Sequence, residues 1–398
     1  MENTSNEKDV IKITSKKLIA LKDAKITNDL MNLKSHELRE KFSEEIKDAE
    51  KVRTPKCISL DDAPLIEPLD YIWDTGGKHT RALIVQYLTN LFGSTNNRVV
   101  EKVVYGIEAA HNISLLIDDV EDNTNTRRGE PCAHTIYGKA FTVNAGYYAI
   151  FKGLSSLAEE YDVDDPEYDP VMHPKMQREI LKIALNSVWE AHLGQGYDLL
   201  WTQKAIIPSM DDFIEMVSGK TGVAFYYLAE AARLIAKYDE SVTNHYADDD
   251  IEEIKHLMKN IGIFYQLRDD YINITSPKYW LAKGFCEDFD EKKVSFLFVL
   301  LNQIDSDDST FEKLHELKSC TNKKKLELYQ HFESKGVLTA AYSYLYKMKV
   351  MIEEAEQAIV EKNGADSFIY SFFSKIEIEP PLESSKVKQF MLMNNIFN

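Results

Sequence analysis

Long segments with helical periodicity dominate the chain and leave little room for a sheet. Apolar or small residues recur every three or four positions over residues 101–123, 180–200, 210–238, 250–274 and 339–360. No series of short alternating strands accompanies these segments, so neither a β nor an α/β architecture is indicated. Chain breakers are also few, with 16 Gly and 11 Pro in 398 residues. The pattern therefore predicts an all-α bundle.

The composition excludes several classes of protein. The net charge of −18 argues against a nucleic-acid partner, which normally requires a basic surface. No uncharged apolar run reaches the roughly 18 residues of a transmembrane helix, and the polar N-terminus resembles neither a signal nor a transit peptide. The four cysteines form no CxxC pair, which argues against a disulfide framework or a zinc site. We expect a soluble, cytoplasmic protein without a transmembrane segment.

Two segments differ from the helical pattern. Residues 1–55 form a charged N-terminal extension without visible chemistry, and residues 56–398 are expected to be one all-α domain. An acidic insertion at about residues 159–176 interrupts this domain. It fits an EF-hand calcium loop poorly, because Pro166 occupies loop position 5 and His173 replaces the Glu of position 12. A solvated loop between two helices is the preferred interpretation.

Two acidic motifs lie inside otherwise apolar helical segments, in HNISLLIDDVEDN and FYQLRDDYIN. Residues four apart are separated by only about 40° around a helix, so each motif presents oxygens on one face. A charged solvent face is the alternative, but acids in apolar helices are costly without a cation. Mg²⁺ takes oxygen ligands and shares them with phosphates, so a cluster of Mg²⁺ ions holding a diphosphate is favoured. The motif residues are Asp118, Asp119, Asp122, Asp269, Asp270 and Asn273.

Basic and polar residues accompany both motifs, as an anion-binding pocket requires. Each one alone would be typical of a surface side chain or a packed histidine, but their joint occurrence beside two metal motifs favours phosphate binding. His111 shares a helix face with Asp118, and Gln266 lies one turn before Asp270. SGKTG is not a P-loop, because the upstream glycine is missing. The candidate anion-binding residues are Lys78, Arg81, His111, Arg127, Arg128, Lys220, Thr221, Gln266, Lys283 and Lys293.

With these motifs the chain resembles the trans-isoprenyl diphosphate synthases, in particular the geranylgeranyl diphosphate synthases of fungi and animals. The similarity runs from about residue 66 to about residue 360. It includes HNxSLLIDDxEDNxxxRRG, HxGQGxDxxW, GKTG, FxQxRDDYxN and KGFCEDxxExKxSF. The resemblance implies an isoprenoid synthase-type helical bundle around a deep central cavity, several Mg²⁺ ions in each active site, and a homodimer or higher homo-oligomer.

The resemblance also implies residue roles. Metal ligands would be Asp118, Asp119, Asp122, Asp269 and Asp270, with Asn273 completing the second motif. The allylic diphosphate would be held by Arg127, Lys220, Thr221, Gln266, Lys283 and Lys293. Isopentenyl diphosphate would be held by Lys78, Arg81, His111 and Arg128. The five aspartates and Lys220 would be catalytic, because charge neutralisation on the departing diphosphate drives ionisation of the allylic substrate, expected to be farnesyl diphosphate.

Product length is expected to depend on four positions. Ile113 precedes Asp118 by five residues, about 7.5 Å along the helix, where the growing tail passes in the family and bulk shortens the product. Its neighbour Ser114 is small, and Ile150 replaces an aromatic residue near the cavity floor. His192, in the HxGQG segment, is the fourth position. These residues favour geranylgeranyl diphosphate and leave a shorter farnesyl product as an alternative.

The chain departs from the family pattern at a few positions. Val223 replaces the last glycine of the family's KTGG, and Leu297 replaces the proline of its SFP. The family's WRD reads Trp201-Thr202-Gln203 in this chain. Three alternatives remain: a farnesyl or geranyl diphosphate synthase, a terpene synthase derived from the family, and a non-catalytic partner subunit. The terpene synthase would lack the isopentenyl-site bases, and the partner subunit would have degraded aspartate motifs. The isopentenyl-site bases are present and both aspartate motifs are intact, so the synthase is preferred.

Overall fold

A computed structural model describes residues 63–76, 80–94, 97–158, 172–239, 242, 248–363, 376 and 378–396. They belong to one compact unit, Ala63–Asn398. The predicted extension over residues 1–55 lies outside the described residues, as do residues 159–171 of the predicted acidic insertion. The following helix begins at Met172, inside the span predicted for that insertion. Within the described part of the chain, no helix is long and apolar enough to cross a membrane.

The prediction of an all-α fold is confirmed. In chain order the elements are α1 (Ala63–Asp74), α2 (Thr80–Leu91), α3 (Asn97–Glu121), β1 (Thr126–Arg127), β2 (Glu130–Pro131), α4 (Ala133–Tyr137), α5 (Lys139–Ala158), α6 (Met172–Lys204), α7 (Met210–Val217), a π-helical turn (Ser218–Gly222), α8 (Val223–Lys237), α9 (Asp248–Thr275), α10 (Pro277–Lys283), α11 (Asp288–Glu291), α12 (Phe296–Ile304), α13 (Thr310–Glu316), α14 (Asn322–Ser334), α15 (Val337–Asn363) and α16 (Ser384–Met393).

Helix α9 is at the centre of the main hydrophobic core. It packs against α8, α12, α15 and the π-helical turn. Phe264, Leu267, Tyr271 and Ile274 are fully buried along it, and each such side chain contributes about 1.5–3 kcal/mol of hydrophobic free energy. The second acidic motif belongs to the same helix, so the packing of α9 fixes the position of that motif.

Helix α3 packs against α2 and α5 and carries the first acidic motif near its C-terminal end. A two-stranded hairpin follows, pairing Thr126 with Pro131 and Arg127 with Glu130. Its turn residues Arg128 and Gly129 both have positive φ, 56° and 84°, as a type I′ turn requires. This tight reversal returns the chain towards α3, so that Arg127 lies beside the first motif.

The π-helical turn interrupts the segment that the sequence predicts as one helix over residues 210–238. It lies between α6 and α9, and glycine on both sides permits the contact. A Cβ on Gly194 of α6 would lie 2.2 Å from the Lys220 backbone nitrogen, and one on Gly262 of α9 would lie 2.8 Å from the Gly222 Cα. Helical turns of this kind commonly occur at functional sites. Here the turn brings Lys220 against α6.

We predict that Gly194→Ala destabilises the protein by about 1–3 kcal/mol, because the added methyl group meets backbone that cannot move aside. Gly196→Ala, two residues along the same helix, is the matched control, since a Cβ there contacts nothing within 4 Å. The control is expected to leave stability unchanged or to raise it by about 0.5–1 kcal/mol. Urea unfolding measures both variants, and equal stabilities would contradict the close contact.

Candidate active site

The first acidic motif is held by an arginine from the hairpin. Arg127 Nε donates to both carboxylate oxygens of Asp119, at 2.7 and 2.9 Å, and its Nη2 lies 2.5 Å from Asp119 Oδ1. Asp118 is 3.5 Å from the same guanidinium. Burial opposes the charge on Arg127, but the hydrogen bonds and charge of Asp119 raise its pKa overall. Asp119 therefore anchors Arg127, and both side chains are buried or nearly so.

Lys220 joins the π-helical turn to α3 and α6. Its Nζ lies 2.6 Å from Asp198 Oδ2 and 3.6 Å from Asp118 Oδ1. Gln195 donates to Asp118 Oδ1 at 3.1 Å and to Glu121 Oε2 at 2.8 Å. Burial would raise the pKa of Asp118, but the charges of Lys220 and Arg127 hold it below its ordinary value. Asp118 is therefore a carboxylate balanced by two cations.

The second motif is fixed by a chain of hydrogen bonds. Thr221 Oγ1 donates to Gln266 Oε1 at 3.0 Å, and Gln266 Nε2 donates to Asp270 Oδ1 at 3.0 Å. The Phe296 backbone N–H donates to Asp270 Oδ2 at 2.9 Å. Burial raises the pKa of Asp270, against the opposing charge of Lys293. This series of hydrogen bonds links the π-helical turn, α9 and α12.

The remaining second-motif residues have separate partners. Tyr279 donates its hydroxyl to Asp269 Oδ2 at 3.3 Å and accepts from Lys283 Nζ at 2.6 Å. Burial and the Asp269 charge raise the pKa of Tyr279, which keeps the phenol protonated. Asn273 is buried, and its Oδ1 accepts from the Asp288 backbone N–H at 3.2 Å. In this arrangement the Asn273 amide holds the segment after α10.

Lys293 connects the two motifs. Burial opposes its charge, but Asp198, Asp270, Asp288 and Asp122 together raise its pKa well above the ordinary value. These four carboxylates come from α6, α9, α11 and the end of α3. A cavity of ≈ 10 Å³ lies among Asp198, Asp270 and Lys293. Among the described residues, Asp198 Oδ1 and Asp288 Oδ2 are buried oxygens without a hydrogen-bond partner.

The residues expected to hold isopentenyl diphosphate form a second cluster, apart from Lys78, which lies outside the described residues. Burial lowers the pKa of Arg81 and of Arg128, and the charge of Glu108 opposes both changes. Burial, together with these two arginines, lowers the pKa of His111 to about 2. His111 is therefore a neutral imidazole beside two cations.

The four positions proposed to set product length lie on three helices. On α3, Ile113 is 5% exposed and its Cγ2 is 3.9 Å from where a Cβ on Gly146 of α5 would lie, whereas Ser114 is exposed. Ile150 of α5 is half-buried. His192 of α6 is exposed, with Nδ1 2.8 Å from a backbone carbonyl one turn earlier. Ile113 thus packs into the contact between α3 and α5.

Four residues of the site were missing from the sequence-based prediction. Gln195 and Asp198 belong to the HxGQGxDxxW segment, and their i, i+3 spacing on a helix could have indicated a shared face. Tyr279 and Asp288 carried no comparable signal, because each reaches the site through the short elements after α9. Their roles depend on tertiary contacts that no periodicity describes.

The carboxylates of both motifs have the oxygen chemistry that Mg²⁺ prefers. Within the described ranges, no three His, Cys, Asp or Glu side chains converge closely enough to enclose a metal ion. Instead, Arg127 forms ion pairs with Asp118 and Asp119, and Lys220 lies close to Asp118 and Asp198. The donor set therefore fits Mg²⁺ in kind, and binding would require the carboxylates to exchange internal cations for metal.

Comparison with known proteins identifies the family of the chain. A family model described as polyprenyl synthetase matches residues 62–332. The geranylgeranyl pyrophosphate synthase of Dictyostelium discoideum is 31% identical over 293 residues, covering 73% of this chain and 87% of that protein. The corresponding synthase of Fusarium fujikuroi is 30% identical over 318 residues, covering 78% and 68%. Quiannulatene synthase of Emericella variicolor is 29% identical over 76% of this chain, which spans 38% of that protein.

Solved structures show the same fold. A crystal structure of a geranylgeranyl pyrophosphate synthase aligns with a TM-score of 0.61 and 21% identity, covering 84% of this chain and all of that one. The geranylgeranyl pyrophosphate synthetase of Pyrococcus horikoshii gives 0.60 and 21%, covering 85% and 91%. The family model covers more than half of the chain and includes both acidic motifs. The chain therefore belongs to the polyprenyl synthetase family, which confirms the resemblance inferred from its motifs.

Proposed function

We propose that the protein is a trans-prenyltransferase that condenses isopentenyl diphosphate with an allylic diphosphate, expected to be farnesyl diphosphate, to give geranylgeranyl diphosphate. The observation that carries the proposal is the position of Lys293, which lines a small cavity with Asp198 and Asp270. Carboxylates of both acidic motifs stabilise its charge. An ammonium group at this position could pair with a diphosphate that binds between the two motifs. The names of the relatives in Dictyostelium discoideum and Fusarium fujikuroi support the C20 product.

Asp118, Asp122, Asp269 and Asp270 are the residues that would hold Mg²⁺, with Asp119 contributing through Arg127. When bound there, Mg²⁺ would neutralise charge on the departing diphosphate. A metal at these carboxylates would also compete with Lys220 for Asp118 and with Lys293 for Asp122 and Asp270. Both ammonium groups would then donate to phosphate oxygens, as electrostatic stabilisation of a leaving anion requires.

The second cluster would hold the other substrate. Arg81 and Arg128 provide two guanidinium groups for the isopentenyl diphosphate, and neutral His111 adds a hydrogen bond without further charge. Ionisation breaks the allylic C–O bond, the isopentenyl double bond attacks the cation, and a proton leaves the new chain. The released diphosphate accepts that proton, so no separate side-chain base is needed. Retention of this cluster favours a synthase over a terpene synthase.

The function is tested by product analysis of the purified full chain with Mg²⁺. Dimethylallyl, geranyl and farnesyl diphosphates are each supplied with and without isopentenyl diphosphate. We expect a C20 diphosphate that forms only when isopentenyl diphosphate is present. A hydrocarbon formed without isopentenyl diphosphate would make the protein a terpene synthase, a C15 limit would make it a farnesyl synthase, and absence of turnover would indicate a partner subunit.

Variants connect the activity to the site. Asp270→Asn and Lys293→Met are each expected to lower kcat/KM for the allylic substrate by roughly 10²–10³-fold, the effect of removing one preorganised charge at a leaving group. Asp307→Asn and Lys313→Met change exposed residues of the same types and serve as matched controls. Equal activities in all four variants would contradict the placement of the site.

We also propose a homodimer that is formed through α6. Leu185, Trp189, Leu193 and Tyr197 recur every four residues and are 48%, 66%, 51% and 47% exposed. Phe151 of α5, the helix packed beside α6, is 67% exposed. A continuous apolar stripe of this kind is typical of a protein interface. Its position on one face is suited to a two-fold contact.

Trp189→Glu combined with Leu193→Glu is expected to weaken self-association by a factor on the order of 100, because both changes bury charge at the centre of the interface. Light scattering over a concentration series measures the molecular mass. Met351→Glu on α15, at a side chain 67% exposed, is the control and is expected to leave the mass unchanged. A monomeric unmodified protein would disprove the dimer.

The contribution of Asp122 to the stability of the metal-free protein should fall as pH rises from about 4 towards 7. Burial and the charge of Asp118 raise the pKa of Asp122 to about 7, so the folded state retains a proton that the unfolded state loses near pH 4. The loss of stability in that window is at most about 1.4 kcal/mol per pH unit for one proton. Urea unfolding in EDTA should show that Asp122→Asn becomes more stable than the unmodified protein at higher pH. Asp307→Asn should follow the unmodified protein at every pH.

A further inference from the structure

Lys292 adopts a backbone conformation that lysine rarely takes. It ends the short helix α11 with φ 55° and ψ 32°, in the left-handed region. For a residue with a Cβ this region costs about 1–2 kcal/mol. The conformation reverses the chain within one residue, so that the side chains of Lys292 and Lys293 leave in different directions. Contacts elsewhere must therefore hold Lys292 in place.

Those contacts come from the C-terminal end of α13. Lys292 Nζ donates to the carbonyl oxygens of His315 at 2.9 Å and Leu317 at 2.5 Å. His315 Nε2 lies 3.0 Å from the Lys292 carbonyl oxygen and donates to it in the Nε2–H tautomer. The His315 ring also packs edge-on against Phe311, with centroids 4.7 Å apart. A cation is favoured at a helix C-terminus, where unpaired carbonyls concentrate negative charge.

The chain after Lys293 is fixed as firmly as the chain before it. The Val294 backbone N–H donates to Thr202 Oγ1 at 3.3 Å, and the Phe296 N–H donates to Asp270 Oδ2 at 2.9 Å. Lys293 is thus the one residue between an anchor on α13 and anchors on α6 and α9. Its own side chain lines the small cavity beside Asp198 and Asp270.

We propose that Lys292 and His315 form a clamp that positions Lys293 for the allylic diphosphate. Both are positioning residues, because their polar atoms are engaged with α13 and with each other. The proposal rests on the proposed function of Lys293 as a diphosphate ligand. Without the clamp, the left-handed turn keeps its backbone hydrogen bonds to Asp288 but loses its contacts with α13. Lys293 then samples other positions, and the allylic diphosphate binds more weakly. The isopentenyl diphosphate cluster contains no part of this segment and keeps its affinity.

Three substitutions of Lys292 separate positioning from stability. Lys292→Gly removes the ammonium group and supplies a residue that adopts the left-handed region without a conformational penalty. Lys292→Met also removes the ammonium group but keeps the conformational free-energy penalty of a residue with a Cβ. Lys292→Arg retains the charge and its donors. We therefore expect Lys292→Met to unfold at a lower urea concentration than Lys292→Gly. Affinity should follow a different order, with Lys292→Arg close to the unmodified protein and both other variants weakened.

The measurement is calorimetric binding of farnesyl thiolodiphosphate with Mg²⁺, together with KM for each substrate. Lys292→Gly and His315→Ala should weaken binding and raise KM for farnesyl diphosphate by roughly three- to tenfold, the effect of one or two hydrogen bonds. KM for isopentenyl diphosphate should not change. Lys313→Met, an exposed lysine on the same helix as His315, is the control.

A double substitution gives the decisive result. Lys292→Gly should have no further effect on binding in a Lys293→Met background, because the clamp acts through Lys293. Additive losses would overturn the clamp, as would unchanged binding in Lys292→Gly when Lys293→Met alone weakens it. Unchanged binding in Lys293→Met would overturn the role of Lys293 and the clamp together. The product analysis with unmodified protein tests the overall activity separately.

Discussion

The pairing of two internal lysines with a group of enclosed carboxylates is the interaction on which the site depends. Lys220 and Lys293 balance Asp118, Asp198 and Asp270 in a region with little solvent. Isolated charges in such a place would destabilise the fold by several kcal/mol each, and removal of one partner is correspondingly costly. The same pairs hold the groups that the proposed reaction uses.

Backbone contacts set the distances between those charges. The π-helical turn reaches α6 and α9 through positions where only glycine fits, and Lys220 leaves the turn directly beside Asp198. The hairpin after α3 places Arg127 against Asp119 by a turn with two left-handed residues. In both cases an irregular piece of backbone positions a cation that no regular helix would bring to that place. Regular helices provide the carboxylates, and irregular segments provide the partners.

The sequence predicted the helical architecture, because periodic apolar positions determine which face of each helix is buried. It also predicted both acidic motifs, since acids inside apolar segments have no structural explanation of their own. It did not predict the division of residues 210–238 by a π-helical turn, which depends on the contacts of Gly194 and Gly262. Nor did it predict Tyr279 as the link between Asp269 and Lys283, because that contact arises from the direction of a short helix.

The π-helical turn also makes the fold sensitive to the number of residues in this segment. Its hydrogen bonds enclose one residue more than those of an α-helical turn, so it acts as an insertion absorbed within a continuous helix. Deleting any one residue of Ser218–Gly222 would restore the α-helical register and rotate α7 by about 100° relative to α8. Phe213 and Met216 of α7 would then leave the core in which they are buried. In these five residues, spacing matters to the fold as much as residue type.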